Sequence, residues 1–211
     1  VLAQRLALPP LTLTPAAGDP IATARLLGKP YIMLFWSAFD AASRDGLAAL
    51  AGSERLRELG VHLLPICVDT DHLDRAKAEL ARVDAALPFI QPDAVLLDLI
   101  DLVQQEVLGR PDDLLLPAAF AVDASGMLAS VLRGGISADL LAADIERRTP
   151  TFTRAQGAAP PVAALYPYGG RVLYPVERGY ATLASDLGRR GHRELFDYYR
   201  TLLQRLRTTG R

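Results

Sequence analysis

Two apolar stretches constrain this chain more than any other feature of its sequence. The first, Tyr31–Trp36, is unbroken and follows the turn-forming triplet Gly28-Lys29-Pro30, and the second, Val61–Val68, is apolar except for His62. A strand that is covered on both faces is apolar throughout, whereas a strand with one face in water alternates apolar and polar residues. Between the two stretches, about Asp40–Leu59 repeats apolar residues at helical spacing. The sequence therefore predicts buried strands that alternate with helices.

The rest of the first 149 residues continues this alternation. Three more helices are predicted by apolar periodicity, and three short strands by apolar runs between turn residues. The helices span about Asp71–Asp84, Asp98–Leu108 and Ser137–Arg147, and the strands Ala94–Leu97, Pro117–Asp123 and Met127–Arg133. The last helix is expected to bury Leu140, Leu141 and Ile145. The last two strands flank a tight turn and predict an antiparallel hairpin. This order indicates an α/β sandwich with a mixed sheet flanked by helices.

Charge is divided unevenly along the chain. The 211 residues carry a formal net charge of −1, but residues 1–149 hold 13 basic and 20 acidic side chains, against 10 and 4 in residues 150–211. Proline and glycine are frequent in residues 150–176, which indicates a linker. Residues 177–211 carry two amphipathic helical patterns around Gly191-His192 and predict an αα-hairpin. We therefore divide the chain into a domain over 1–149, a linker and a hairpin.

Composition excludes several classes of protein and of site. The sequence is 50% hydrophobic and 22% charged, so it is not a disordered chain. It shows neither a signal-peptide pattern nor an apolar run that could span a membrane. The single cysteine, Cys67, excludes an internal disulfide and a thiolate metal site. Asp69, Asp71, His72 and Asp74 suit a solvated helix start better than a metal site, and no phosphate-loop pattern occurs. We expect no metal, no cofactor, no nucleic acid and no insertion into a membrane.

Two segments together resemble the thioredoxin-like proteins, most closely the TlpA/ResA-type redoxins. In that family a Gly-Lys-Pro turn, an apolar strand and a Phe-Trp pair precede a Cys-x-x-Cys motif that opens a helix, and Gly28–Arg44 repeats the pattern around Phe35-Trp36. Leu114–Gly126 is similar to the family's cis-proline loop, strand and glycine turn. The resemblance implies a thioredoxin-like sandwich with a cis Leu116–Pro117 bond.

The two cysteine positions of the family fall on Asp40 and Ser43 in this sequence. Thiol-disulfide exchange needs a thiolate at the helix start and a second thiol, which a carboxylate and a hydroxyl cannot replace. Both residues suit a helix cap instead. We therefore expect no catalytic residue, no oxidoreductase activity and no enzyme. Two alternatives stay open: an enzyme of another class that uses Asp40 as an acid or base, and a redox protein that works through Cys67, a thiol expected to be buried.

These observations predict a redox-inactive binding or scaffold module that belongs to a larger protein assembly. Its contact surface is expected around Trp36, Phe39, Leu116 and Pro117, with a peptide bound near Pro117 as one possibility. The C-terminal hairpin resembles one tetratricopeptide-type unit. A single unit cannot bury both of its faces, so it must pack on the first domain or on another chain. Because the family works mostly outside the cytoplasm, an extracytoplasmic (periplasmic) location is expected.

Overall fold

A computed structural model describes residues 6–109, 111–148 and 176–209. Apart from Val176, the predicted linker over 150–176 lies outside the described residues. The boundaries that we placed around it therefore stay predictions.

Strands and helices alternate through the described residues, as the apolar patterns predict. The strands are β1 Thr12–Leu13, β2 Ile21–Ala22, β3 Tyr31–Trp36, β4 His62–Cys67, β5 Ala118–Val122 and β6 Leu128–Arg133. The α-helices are α1 Ala41–Ala51, α2 Glu54–Glu58, α3 Leu73–Val83, α4 Ala94–Leu108, α5 Ala138–Arg148, α6 Val176–Arg189 and α7 Arg193–Thr209. Within the described ranges, no helix is long and apolar enough to cross a lipid bilayer.

A mixed four-stranded sheet forms the centre of the fold. Its strands lie in the order β4-β3-β5-β6. Strand β3 runs parallel to β4 and antiparallel to β5, and β5 and β6 form the predicted antiparallel hairpin. β1 and β2 pair with each other in a separate small sheet. The predicted α/β sandwich with a mixed sheet is thus confirmed.

The unbroken apolar sequence of β3 follows from its position, because helices cover both faces of the sheet. Successive side chains of a strand point to opposite faces. One face carries Ile32, Leu34 and Trp36, which pack with apolar residues of α1, α3 and α5. The other face carries Tyr31, Met33 and Phe35, which pack with apolar residues of α4, α6 and α7. All six side chains are buried.

The C-terminal hairpin of α6 and α7 packs against the first domain of the same chain. Its buried apolar side chains share one hydrophobic core with β3, β5 and α4. These side chains are Tyr180, Leu183, Ala184, Leu187 and Tyr199. The sequence left open whether the hairpin packs on the first domain or on another chain. In the structure it packs on the first domain.

Polar contacts hold the hairpin in place at two further points. Three tyrosine hydroxyls form hydrogen bonds with the backbone of Ala7 and Leu8. Tyr180 Oη accepts from the N–H of Ala7 at 3.0 Å, and the Tyr199 hydroxyl donates to the carbonyl of Ala7 at 3.2 Å. The Tyr198 hydroxyl donates to the carbonyl of Leu8 at 3.1 Å.

At the turn between the helices, Arg190 and His192 both contact Asp98 of α4, with His192 Nε2 lying 2.7 Å from Asp98 Oδ2. The basic hairpin thus meets acidic groups of the first domain.

Three local predictions are wrong. Ala94–Leu97 is the first turn of α4 and not a strand, because the Asp93 carboxylate caps this turn and accepts from the N–H of Leu96 at 2.7 Å. The helix predicted over Asp40–Leu59 is divided, since Ser53 starts the separate helix α2 by accepting from the N–H of Leu56. Leu140, expected on the buried side of α5, is 58% exposed.

Candidate functional site

The candidate site lies where β3 ends and α1 begins. Asp40 is the capping residue of α1: its backbone is extended, and its Oδ2 accepts from the N–H of Ser43 at 2.7 Å. Hydrogen bonding from Ser43 holds the pKa of Asp40 below its ordinary value, and the charge of Arg44 acts in the same direction. The carboxylate is therefore ionised at neutral pH and bound to its own helix, so its geometry favours the predicted helix cap over an acid or base role.

Helix α1 passes close to the proline loop. Ser43 is completely buried. One turn further on, a Cβ atom added to Gly46 would lie 3.0 Å from the side chain of Ile136 and 3.8 Å from Cγ of Pro117. A side chain at Gly46 would require that of Ile136 to move by a few tenths of an ångström. The start of α1 and the loop before β5 therefore lie side by side.

The loop Leu114–Pro117 lies beside the start of α1. Its Leu116–Pro117 bond is cis, as the resemblance implies. Leu114 and Leu116 pack against the core, whereas Leu115 is 57% exposed. Within the described residues, the backbone N–H and C=O groups of these three leucines make no hydrogen bond. Pairing with the neighbouring strand resumes at Pro117, whose carbonyl accepts from the N–H of Gly134 at 2.8 Å.

The predicted contact surface is only partly exposed. Trp36 is completely buried, because its position in β3 directs its side chain into the core between the sheet and α1, and Pro117 is buried as well. Neither side chain belongs to the surface that we predicted for it. Phe39 is 50% exposed, and Leu116 is half-buried. Leu115 is the residue that the sequence analysis missed, although the apolar triplet before the proline was a signal for it.

The exposed ring of Phe39 is held by its neighbours. The Arg75 guanidinium lies over the ring at 4.6 Å from its centroid, and the ring of His72 meets it edge-on at 5.9 Å. Such cation–π and edge-to-face contacts stabilise an aromatic side chain even at the surface. Phe39 is therefore held in place as a fixed apolar contact point beside the helix start.

Asp69 is a second residue whose role the sequence analysis missed. It follows β4, and its carboxylate binds the loop between β3 and α1: Oδ1 accepts from Ser37 Oγ at 2.5 Å and Oδ2 accepts from the N–H of Ala38 at 2.8 Å. The carboxyl ends of neighbouring parallel strands lie at the same edge of a sheet. This rule could have placed Asp69, which follows β4, near the loop that follows β3. In the described part of the chain, no group of acidic residues, histidines and cysteine is arranged to hold a metal ion.

Cys67 is a buried thiol at the end of β4. It has no exposed surface, and its Sγ lies 3.5 Å from Asp69 Oδ2. Burial raises the pKa of Cys67 to about 12, and the nearby charge of Asp69 acts in the same direction. Since the thiolate is the reactive form, this environment gives no support to a reaction through Cys67 in the folded chain.

No protein-family model and no curated protein matches the chain. Among solved structures, it is similar to a thiol:disulfide interchange protein of the thioredoxin family from Chlorobium tepidum TLS, with a TM-score of 0.55 and 19% identity, over 69% of this chain and 97% of that one. The chain has the thioredoxin fold. A DsbF homologue from Corynebacterium diphtheriae is also similar, with a TM-score of 0.54 and 16% identity, over 70% of this chain and 91% of that one.

These comparisons contradict the prediction that the chain is not an enzyme. The similar Chlorobium structure is that of a thiol:disulfide interchange protein. The prediction went wrong because it took the loss of the family's two cysteines at Asp40 and Ser43 as a reason to exclude any enzyme. With Cys67 as the only cysteine, a disulfide exchange on this chain requires a thiol or disulfide of another molecule.

Proposed function

We propose that this thioredoxin-fold chain binds an extended segment of a partner protein along the loop Leu114–Pro117, beside the start of α1. The observation that carries the proposal is the unpaired backbone of Leu114–Leu116 beside the cis proline. Exposed backbone groups of this kind pair with an added strand, as they do at the edge of a sheet. The bound segment would supply the missing hydrogen bonds.

Exposed apolar side chains on the helix start and on the loop support this proposal. Six large hydrophobic residues are exposed in the described part of the chain: Leu27, Phe39, Val95, Leu97, Leu115 and Leu140. Of these, Phe39 lies at the helix start and Leu115 on the loop. Exposed apolar contact points commonly mark interaction sites. We infer that the bound segment carries apolar residues at alternate positions, because alternate side chains of an extended segment share one face.

We further propose that binding serves a larger protein assembly. By the resemblance to TlpA/ResA-type redoxins, Asp40 and Ser43 take the places of the two cysteines. Holding a polypeptide segment is a step that a scaffold and a thiol-disulfide enzyme share, so the proposed binding is compatible with the redox chemistry of the similar structures. The hairpin, similar to a tetratricopeptide unit, already buries its inner face on the first domain. Contacts with other subunits would therefore use its outer surface.

An extracytoplasmic location is also proposed, on the resemblance alone. Fractionation of cells that express the complete gene tests it: recovery with periplasmic markers supports it, and recovery with cytoplasmic markers contradicts it.

The test of binding is a titration of the isotope-labelled chain with a synthetic peptide of alternating leucine and serine, followed by NMR. We expect shifts in the amide signals of Phe39, Leu115 and Leu116. A peptide with N-methylated backbone nitrogens should bind more weakly, because it has lost the donors that pair with the loop. Phe39→Ala should weaken binding, whereas the matched control Leu27→Ala should not, since Leu27 precedes the opposite end of β3. Shifts confined to other surfaces would contradict the proposal.

A further inference from the structure

A completely buried glutamine lies behind the proposed binding loop. Gln104 belongs to α4 and has no exposed surface. Its Nε2 donates to Asp101 Oδ1 at 3.1 Å and to the backbone carbonyl of Asp112 at 3.1 Å. Its Oε1 accepts from Arg133 Nη1 at 3.5 Å. A buried amide is costly unless it is hydrogen-bonded, and here both ends of the amide have partners.

Arg133, the last residue of β6, contacts the same loop. Its side chain is 15% exposed, and its Nη2 lies 3.6 Å from Asp112 Oδ2. Asp112 is therefore held twice, through its carbonyl by Gln104 and through its carboxylate by Arg133. At the other end of the loop, the carbonyl of Pro117 is fixed by the N–H of Gly134.

The stretch Leu114–Leu116 thus spans two fixed points while its own backbone groups stay unpaired. A loop without regular structure normally loses conformational entropy when a ligand orders it. Anchors at Asp112 and Pro117 remove much of this loss in advance, because they restrict the loop before anything binds. The arrangement leaves the donors and acceptors of the loop available and keeps them in place.

We propose that Gln104 and Arg133 are positioning residues, which hold the edge Leu114–Leu116 in the conformation that accepts a partner segment. This inference rests on the proposed function. Neither residue touches the bound segment; both act through Asp112. Their contribution should therefore appear as a change in affinity together with a change in the mobility of the loop.

Two variants test the proposal from opposite sides of the contact. Arg133→Met removes the guanidinium, and Asp112→Ala removes its carboxylate partner on an exposed residue whose loss should not prevent folding. Binding of the leucine-serine peptide is expected to weaken about threefold to tenfold in each, as for the loss of one or two hydrogen bonds. The order parameters of the Leu115 and Leu116 amides, from 15N relaxation, should fall because the loop becomes more mobile. Arg133→Lys keeps the charge and should recover part of the affinity.

The matched control is Arg82→Met, which removes an arginine from the exposed pair with Glu79 on α3. It should change neither the affinity nor the order parameter of the Leu115 amide. Equal affinity and equal order parameters in Arg133→Met, Asp112→Ala and the unaltered chain would overturn the proposal. If the unaltered chain does not bind the peptide, the proposed function fails, and the order parameters alone then decide whether the loop is held in place by this network.

Discussion

Replacing Leu187 with alanine should destabilise the whole chain, because the hairpin and the first domain share one core. Leu187 of α6 has no exposed surface and lies in the same cluster as Phe35 of β3 and Val103 of α4. Leucine-to-alanine changes at such sites cost about 2–5 kcal/mol, the larger values arising where the surroundings cannot collapse into the cavity. Since Leu187 is completely buried and its helix packs against α4 and α7, we expect about 3 kcal/mol.

The corresponding fall in melting temperature is about 6–12 °C, from about 2–4 °C per kcal/mol for a chain of this size. Thermal and urea unfolding should each show a single transition, displaced as a whole. Leu140→Ala is the matched control: this side chain is 58% exposed, and its loss should cost about 0.5 kcal/mol or less. A loss below 1 kcal/mol for Leu187→Ala, or a separate transition of the hairpin that leaves the first domain unaffected, would refute the shared core.

Three further predictions concern single groups. Hydrogen bonding from His192 lowers the pKa of Asp98. The pair should therefore stabilise the fold at pH values above the ordinary pKa of an aspartate and lose that effect as the pH falls through the lowered pKa. In urea unfolding, Asp98→Asn should lose less stability on the acid side than the unaltered chain. Asp40→Ala should lower the free energy of unfolding, since it removes the cap of α1, and Asp40→Asn should lower it less. Cys67 should react slowly with a thiol reagent in the folded chain and rapidly in urea.

Each of these has an outcome that contradicts it. If stability falls with acid pH equally in Asp98→Asn and the unaltered chain, the Asp98–His192 pair does not stabilise the docked hairpin. Unchanged stability in Asp40→Ala would mean that the carboxylate does not act as a cap. Rapid labelling of native Cys67 would show a thiol that opens to solvent and would revive a redox role for it.

The elements that the sequence predicts well are those whose pattern is local. β3 and β4 are predicted from apolar runs that lie between turns, and the β5–β6 hairpin is predicted from its turn residues. Ala94–Leu97 shows the limit of this reasoning. A short apolar run suits a strand and a buried helix equally, and the choice here is made by the cap at Asp93.

The candidate site was harder to predict, because it depends on direction and on contacts between distant residues. The sequence places Trp36 beside the helix start, but only the alternation along β3 decides that the ring points into the core. Leu115 is exposed because its neighbours on both sides point inward. Asp69 binds a loop 31 residues earlier in the sequence, and Gln104 binds the loop that follows its own helix, 8 residues later; no local pattern predicts either contact.

The central claim is that a partner segment pairs with the backbone of the loop before Pro117. The most direct measurement is the set of intermolecular nuclear Overhauser effects between the labelled chain and the bound leucine-serine peptide. The account predicts contacts from the peptide backbone to the amide of Leu116, and from alternate peptide side chains to Phe39 and Leu115. Contacts to the hairpin instead, or to the loop side chains without any to the Leu116 amide, would contradict it.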